Sequence, residues 1–541
     1  MSLLGVGASG LAAAYAAINS TSNNIANVNT PGYSRQNTVQ TTMPGQFSGG
    51  GFVGRGVAVE SIRRAFDAQV NGQVQFTQAQ SSEATTQSGL MRAVDKLFAA
   101  DDVGVGNALD NFFSSLTQAS SRPGDMSSRA AVISSGQQLA SRLNQASLQL
   151  DEQGRNVDLG IRATLTQINS LAQTIGRLND AISLAQGSGQ TPNDLLDQRD
   201  EVLRQLNTQV GVTTLEQSDG SLNVFLSSGA ALVVGNTPAS MSISFDPADP
   251  QKQLVGLSSA NGAVSSNLQL SAASLNGGAL AGQMKFRDIN LVDAKNELGR
   301  LATAVANTFN AIHAAGTNMN GTGGQPLFTL PAPVAFPSSL NTGSGAVSVS
   351  IATASSLQPS DYRIDYDGGQ YTITRLQDGT KSTAASMPVT LDGIAITLTG
   401  TPAAGDSFQL QPVRNAAAGI KLAFTDPRAL AFGLSNASGD NRNALALAAV
   451  AEQATLGGLT FSQAFGEISA KVGTTTQGLE ISASIAGKLL TQARAEQSSV
   501  SGVNLDEEAA KLIRYQQAYQ ASAKVLATAQ TLFQTLLDMG R

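Results

Sequence analysis

The sequence predicts an elongated, mainly α-helical protein of several domains that carries β-rich insertions. Apolar residues recur every seven positions near both chain ends, helical spacing fills much of the middle, and two internal regions change to short strands and turns. The 541 residues exceed what one core holds and correspond to about three or four domains. We therefore expect the two terminal helices to pair as a coiled coil, followed by a helical-bundle stalk and outer β domains.

The N-terminal stretch predicts a coiled-coil helix. Leu4, Leu11, Ile18 and Ile25 lie seven positions apart, and Tyr15 occupies an intermediate coiled-coil position. Asparagines and a Pro-Gly pair follow within residues 23–33, and this pair suits the two central positions of a type II turn. The helix is therefore expected to stop there.

The C-terminal stretch mirrors it, because Leu505, Leu512, Tyr519, Leu526 and Phe533 also lie seven apart. An apolar stripe of this kind is more often ordinary core than an assembly interface. Length favours assembly here, since the two stripes would measure roughly 32 Å and 48 Å at 1.5 Å per residue. A pair of such helices still leaves one flank exposed, so we interpret these ten residues as an assembly interface.

Helical patterns alternate with extended ones between the two ends. Residues 34–64 are Gly-rich and predict short strands with bulges, whereas residues 66–116 and 125–210 return to helical spacing. A second apolar helix is expected from about Phe286 to Ile312, packed antiparallel against the apolar helix predicted within residues 125–210. Ala-rich helix is predicted again for residues 415–501.

Two regions predict β structure. Residues 212–280 contain short apolar runs separated by turns, and residues 321–413 contain two hairpin signals. In the first signal Asp367-Gly368-Gly369 separates alternating strands, and in the second the turn is Asp392-Gly393.

These patterns divide the chain into four parts. Residues 1–45 with 501–541 form a terminal coiled-coil domain, and residues 46–211 with 281–320 and 414–500 form the helical stalk. Residues 212–280 form one β-rich insertion and residues 321–413 an outer one. The two insertions are thus nested inside a domain built from both chain ends.

Composition narrows the class of protein. Charged residues make up 13% of the chain, against roughly 25% in ordinary domains, and 54 glycines are present. The net charge of −6 and the lack of a basic cluster make nucleic acid an unfavourable partner. Cysteine and tryptophan are absent, so no disulfide or thiolate ligand is available. With no run of 18 apolar residues and no secretory leader, we expect no membrane partner and no cleaved signal peptide.

Candidate catalytic residues are scarce. His313 is the single histidine, it lies on a predicted apolar helix, and a packing or surface role is the stronger interpretation. Neither a nucleophile elbow nor a phosphate-binding loop occurs. We therefore expect no enzyme, no catalytic residue, no cofactor and no metal.

Two groups of acidic residues could be imagined as metal ligands, but each has a stronger structural explanation. Asp194, Asp197 and Asp200 could share a helix face, but Arg199 and Arg204 are close by, so we interpret them as a solvated face. The acidic run that follows Asn504 is interpreted as helix capping, with Asn504 as the N-cap. The run consists of Asp506, Glu507 and Glu508.

Residues 23–33 resemble the signature of the bacterial flagellar axial proteins of rod, hook and junction. The residues that carry the resemblance are Asn24, Ala26, Asn27, Thr30, Pro31, Gly32 and Tyr33. The continuation at residues 34–36 and the Gly-rich segment 51–57 look like those of the junction members, and residues 501–525 resemble the closing helix of the same family.

The resemblance implies a structural subunit that forms the junction between hook and filament and assembles through its terminal helices. Its implied partners are further copies of itself in a ring of the axial tube, the hook protein, a second junction protein and an export chaperone on the C-terminal helix. Export would use the flagellar type III apparatus, which places the protein outside the cell. Two alternatives stay open: a rod or hook subunit, or an adhesin or wall-acting protein carried on a flagellar scaffold.

Overall fold

The computed structural model describes residues 3–48, 51–99, 104–188, 191–258 and 268–540. Helices occupy both ends and the middle of the chain, and two β-rich regions interrupt them, which confirms the predicted fold class. Glycines 49 and 50 of the predicted strand region, and residues 259–267 of the first predicted insertion, lie outside the described residues.

The first 64 residues form one helix and two small sheets. Helix α1 spans Leu3–Ala26, where the sequence predicts it to end, and strands follow within the predicted extended region. The strands are β1 Gln36–Thr42, β2 Gln46–Ser48, β3 Gly51–Val53 and β4 Val57–Arg64. β1 pairs antiparallel with β4, and β2 with β3.

Long helices form the body and the C-terminal end. They are α2 Ala68–Phe98, α3 Val105–Ser121, α4 Met126–Gly187, α5 Asn193–Gln209, α6 Gly278–Lys285, α7 Leu291–Ala314, α8 Ala416–Gly419, α9 Arg442–Ala449, α10 Phe461–Ser501 and α11 Leu505–Met539. A π-helical turn at Phe286–Asn290 joins α6 to α7 without a break.

The predicted antiparallel packing of the two apolar helices is confirmed. Asp151 of α4 pairs with Lys295 of α7 at 2.6 Å, and Thr164, further along α4, bonds to Gln283 of α6. The second helix begins at Gly278 rather than at Phe286. The expected start was wrong because Leu280, Ala281 and Met284 continue its buried face on the N-terminal side.

The Ala-rich region 415–501 is helical only in part. Before α10, its helices α8 and α9 are short, because Pro427 and the left-handed Gly439 (φ 82°) interrupt the segment between them. α10 then begins with a capping box, in which Thr460 and Gln463 each accept a hydrogen bond from the other's backbone N–H.

The first β-rich region contains a four-stranded sheet in the order β5-β6-β7-β8 and a three-stranded sheet β11-β10-β9. Its strands are β5 Val212–Glu216, β6 Leu222–Leu226, β7 Ala231–Val234, β8 Thr237–Pro238, β9 Ser240–Phe245, β10 Gln253–Ser258 and β11 Leu268–Leu270. Their buried side chains join those of the helices in one continuous core.

The second β-rich region stacks a five-stranded sheet, β13-β20-β15-β16-β17, against a three-stranded sheet, β14-β19-β18. The strands are β12 Phe328–Thr329, β13 Val334–Pro337, β14 Ala346–Ile351, β15 Tyr362–Tyr366, β16 Tyr371–Arg375, β17 Lys381–Ala384, β18 Val389–Leu391, β19 Ile394–Thr399, β20 Ser407–Gln411 and β21 Lys421–Leu422, of which β12 and β21 pair beside the helical core.

Both predicted hairpins are present. β15 and β16 pair across the turn at Asp367, and β18 and β19 pair across Asp392-Gly393. Asp392 (φ 52°) and Gly393 (φ 79°) both adopt the left-handed backbone that a type I′ turn requires.

The division into four parts stays a prediction. The pairing of β1 with β4 spans its boundary at residue 45.

By length and composition α1 could cross a membrane, since an 18-residue window reaches a mean hydropathy of 1.3. That is weak evidence for a span, and in this fold α1 packs against β1, β4 and α11.

At Gly299, α7 packs closely against the backbone of the segment that follows β20. A Cβ atom at Gly299 would collide with the backbone carbonyl of Val413. Gly299→Ala is therefore expected to destabilise the fold by about 1–3 kcal/mol, as overpacking does. Gly466 in α10 faces open space, so Gly466→Ala is expected to stabilise by up to about 1 kcal/mol. Thermal unfolding followed by circular dichroism measures both, and equal midpoints for the two variants would contradict the close approach.

Candidate assembly interface

The two terminal helices pack side by side and run antiparallel. Asn24 near the end of α1 meets Glu508 near the start of α11, whereas Gly10 faces Ser522. A Cβ atom added at Gly7 would lie 3.3 Å from the backbone nitrogen of Leu526, so glycine allows close approach there. The predicted pairing of the chain ends is present.

The buried face of α1 consists of small and polar residues. They are Gly7, Ala13, Ala14, Ala17, Ser20, Thr21 and Asn24. The predicted seam residues Leu4, Leu11, Ile18 and Ile25 are only half-buried, and Tyr15 is 57% exposed. The apolar seam of α1 therefore remains partly accessible after the helices have paired.

α11 is still more open. Among its described residues only Glu508 and Ala529 are buried. The predicted seam residues Leu512, Tyr519 and Leu526 are half-buried, while Leu505 (50%) and Phe533 (57%) are exposed.

The end of α11 extends beyond the start of α1. The antiparallel register places Leu3, the first described residue of α1, near Ala529, the last buried residue of α11. All residues from 530 to 540 are exposed. We call this segment the α11 overhang. Its large apolar side chains are Leu532, Phe533, Leu536, Leu537 and Met539.

Asn24 forms the joint at the base of the helix pair. Its side-chain nitrogen donates to Glu508 Oε2 (2.9 Å) and to the carbonyl of Gln36 (2.9 Å). Its side-chain oxygen accepts from the Tyr33 hydroxyl (2.8 Å) and from the Gln36 backbone N–H (2.8 Å). Every hydrogen-bonding position of this buried amide is used, and the amide ties α1, β1 and α11 together.

The predicted turn lies between Asn24 and β1. Gly32 has φ 81° and the Tyr33 N–H donates to the Thr30 carbonyl at 3.2 Å, which confirms a type II turn at Pro31-Gly32. Asn27 donates to the Asn23 side chain at 2.8 Å and accepts from the Thr30 hydroxyl at 3.1 Å. Ala26 is exposed.

The interpretation of Asp194, Asp197 and Asp200 as a solvated face holds for Asp194, which is exposed, but was wrong for Asp197, which is buried, and for Asp200, which is half-buried. Asp197 accepts from the Ser34 N–H (3.0 Å), and both Asp197 (3.0 Å) and Asp200 (2.5 Å) pair with Arg64. Asp194 accepts from the Gln36 side chain at 3.3 Å. These partners lie more than 130 residues away in the chain, and they attach the joint to α5.

The nearby arginines have other partners. Arg199 is buried and donates to the carbonyl of Gly220 at 2.7 Å, and Arg204 pairs with Glu201 at 2.5 Å.

The capping interpretation holds for Asn504 but fails for Glu508. The Asn504 side chain accepts from the N–H groups of Asp506 (2.9 Å) and Glu507 (3.4 Å), as an N-cap does. Glu507 pairs with Arg35 at 3.3 Å. Glu508 instead is 1% exposed and bonds to Asn24 and Lys511, so its main role is tertiary.

Burial shifts two pKa values in the joint. Burial, together with the nearby carboxylates of Asp197, Asp194 and Glu508, raises the pKa of Tyr33 to about 12. Burial also raises the pKa of Asp200, against the opposing charge of Arg64. Both shifts follow from packing acidic groups closely in a joint with little water.

His313 belongs to the core, which is the packing role of the two that the sequence left open. Its Nε2 atom accepts the Ala431 backbone N–H at 2.9 Å, and its Nδ1 atom bonds to the carbonyl of Gln325. Burial lowers its pKa. Within the described ranges, no group of three or more His, Cys, Asp or Glu side chains could hold a metal ion.

Comparison with known proteins identifies the family. Residues 91–328 match the flagellar hook-associated protein FlgK helical domain, and residues 336–412 match the flagellar hook-associated protein 1 D2-like domain. Flagellar hook-associated protein 1 of Escherichia coli (strain K12) is 35% identical over 547 residues, covering 99% of this chain and 100% of that protein. The chain belongs to the flagellar hook-associated protein 1 family.

Other members match most of the chain. The hook-associated protein 1 of Bacillus subtilis (strain 168) is 26% identical and covers 98% of this chain and 95% of its own length. The flagellar hook junction protein FlgK from Burkholderia pseudomallei has a TM-score of 0.75 at 27% identity, covering 80% of this chain and 100% of its own. The hook-associated chain is thus a structural component of the flagellum.

The termini match a wider group within the flagellum. Residues 4–33 match the flagella basal body rod protein family, and residues 496–539 match the flagellar basal body rod FlgEFG protein C-terminal family. These ranges contain most of α1 with the turn that follows it, and all of α11. The two ends of this chain are thus similar in sequence to the rod families.

Asn24→Asp is expected to loosen the helix pair, because it replaces two buried donors with a carboxylate that faces Glu508 and the Gln36 carbonyl. An uncompensated buried charge costs about 3–5 kcal/mol. Asn27→Asp is the matched control, since it changes a less buried amide of the same motif and is expected to cost about 1 kcal/mol. Hydrogen exchange of α1 amides measures the difference, and equal exchange in both variants would contradict the role of Asn24.

Tyr33 predicts an alkaline loss of stability. The unfolded chain releases a tyrosine proton near pH 10, whereas the folded chain holds that of Tyr33 to about 12. Stability is therefore expected to be level below pH 10 and to fall as pH rises from 10 to about 12. Denaturant unfolding across this range measures it. The stability of Tyr33→Phe should fall less steeply with pH than that of the parent. The stability of Tyr15→Phe, which changes an exposed tyrosine, should follow the parent.

Proposed function

We propose that this chain is a non-catalytic subunit at the junction between hook and filament, which assembles through its terminal helices. The main observation in support is the α11 overhang, whose five large apolar side chains are 52–76% exposed. Monomeric proteins seldom leave such a row of apolar groups in water. A neighbouring subunit would remove it from water.

The proposed interface combines the overhang with the accessible seam. Tyr15, Leu505 and Phe533 would face a neighbour fully, and the half-buried seam residues would bridge the pair and that neighbour. The low charge of the chain supports this, since few charged groups would have to lose water when copies pack together. We place the interface on the ten residues that the heptad pattern selects, together with the overhang.

The proposed partners follow from the junction role. Further copies of the chain would form a ring in the axial tube, with the hook protein on one side and a second junction protein on the other. An export chaperone would cover α11 before assembly. We further propose export without a cleaved signal peptide, no membrane partner, and an extracellular position in the mature flagellum.

The four-part division belongs to the same proposal. The terminal pair would line the tube, the helical stalk would surround it, and the β-rich insertions would face outward. A rod or hook subunit would share the terminal pair, but the matches of residues 91–328 and 336–412 favour the junction protein. An adhesin or wall-acting protein would need a ligand-binding insertion, which a glycan-binding screen of the full chain would reveal.

Phe533→Glu tests the overhang in a strain whose only copy of the gene carries the variant. It is expected to fold, because Phe533 is 57% exposed, and to be absent from flagella, because a charge in an apolar contact loses its water without a partner. Leu184→Glu at the end of α4 is the control, since Leu184 is 80% exposed and outside the proposed interface.

Electron microscopy of isolated hooks and circular dichroism of the purified variants supply the readouts. Hooks without filaments in the Phe533→Glu strain, and filaments in the Leu184→Glu strain, are the expected result. Normal filaments with folded Phe533→Glu would refute the overhang as an interface. Normal filaments in a strain lacking the whole gene would refute the junction role itself.

A further inference from the structure

The second β-rich region has a core of its own. We call residues 334–413 the outer β unit; its two sheets enclose a separate cluster of buried side chains that includes Ile364, Ile373, Ile396, Phe408 and Leu410. None of these belongs to the continuous core of the helices and the first β-rich region. The orientation of the outer β unit on the body therefore depends on the few contacts at its base.

One buried arginine lies at this base. Arg414 follows directly after the outer β unit, and its guanidinium pairs with Asp361 of that unit. On its other side it lies 4.0 Å from Asp249, in the turn between β9 and β10 of the first β-rich region. The side chain of Asp361 is 1% exposed and that of Asp249 is 3% exposed, so both carboxylates are held out of water.

Among the described residues, the remaining polar contacts at the base include no second cation. Gln411 donates from its side-chain nitrogen to Asp249 at 3.0 Å, and the Ser339 N–H donates to the carbonyl of Pro247 at 2.7 Å. Val413 lies against the backbone of Gly299 in α7. Together with Arg414, these contacts line the chain's return path from the outer β unit to the body.

A polar cleft of about 780 Å³ opens beside Arg414. Its walls come from α4, the π-helical turn, α7, the turn between β9 and β10, and the outer β unit. The described lining contains no aromatic residue, and it includes two buried atoms without a hydrogen-bond partner, Asp361 Oδ1 and Arg414 Nε. A cleft of this kind provides little apolar packing to oppose rotation of the unit.

We propose that Arg414 is a positioning residue that holds the outer β unit at a fixed angle to the helical body, by neutralising Asp361 and Asp249 at once. An arginine suits this role because its planar fork presents donors on several sides and stays charged. Without it, two buried carboxylates from different parts of the fold lose the one cation that they share. The base then opens, and the outer β unit moves as a body with its own core intact.

The experiment measures the angle directly on the full chain. The chain has no cysteine, so Ser386→Cys on the outer β unit and Gln138→Cys on α4 provide two unique, exposed labelling sites. Pulsed electron-electron double resonance between spin labels attached to the two cysteines then gives the distribution of distances between them. In Arg414→Met the distribution is expected to broaden and shift relative to the parent.

Three further variants separate positioning from folding. Arg414→Lys keeps the positive charge, but a single ammonium group reaches one carboxylate better than two. Its distance distribution is therefore expected to lie between those of the parent and Arg414→Met. Asp249→Asn removes one carboxylate while leaving the pair with Asp361, and it is expected to give a smaller broadening. Arg363→Met is the matched control, because Arg363 lies on the outer β unit with its side chain 56% exposed and pairs only locally with Asp365.

The tyrosines report whether the outer β unit remains folded. Three of the seven, including the stacked Tyr366 and Tyr371, lie in that unit, and the chain has no tryptophan. A near-ultraviolet circular dichroism spectrum like that of the parent, combined with a broadened distribution, supports the proposal. A folded Arg414→Met or Asp249→Asn whose distribution matches that of Arg363→Met overturns it. Should Arg414→Met fail to fold, Asp249→Asn alone decides.

Discussion

The buried amide of Asn24 is the interaction on which the arrangement of the chain ends depends. It joins α1 to Glu508, 484 residues later in the chain, and to β1 next in sequence. Because each of its donors and acceptors is used, rotation or slippage of either helix leaves a buried polar group unpaired. The small residues between the helices set their spacing, and this amide sets their register.

Local patterns predicted most of the individual elements. The Pro31-Gly32 turn, the N-cap at Asn504 and the hairpin at Asp392 depend on residues within a few positions of one another, and each is present. Asp197 and Glu508 were misassigned because their partners Arg64 and Asn24 lie far away in the sequence. A carboxylate on a helix has the same local pattern whether water or a distant arginine faces it.

The same limit applies to packing. Both β-rich regions show alternating apolar residues, yet the strands around Val224 join the helical core whereas those around Ile364 enclose their own. Alternation predicts that one face of a strand is buried, not what buries it. In α1 the heptad pattern does not select the face that is buried within the single chain. That face consists of small and polar residues, whereas the large apolar residues at the heptad positions stay partly exposed.

The outer β unit leaves the body and returns to it at one base, beside Gly299 and Arg414. The contacts that tie the terminal helices to the helical body at Asn24 and at the aspartates of α5 involve no residue of that unit. Substitutions or insertions within the outer β unit therefore leave those contacts in place, so the surface of that unit is free to diverge while the attachment of the helix pair is retained.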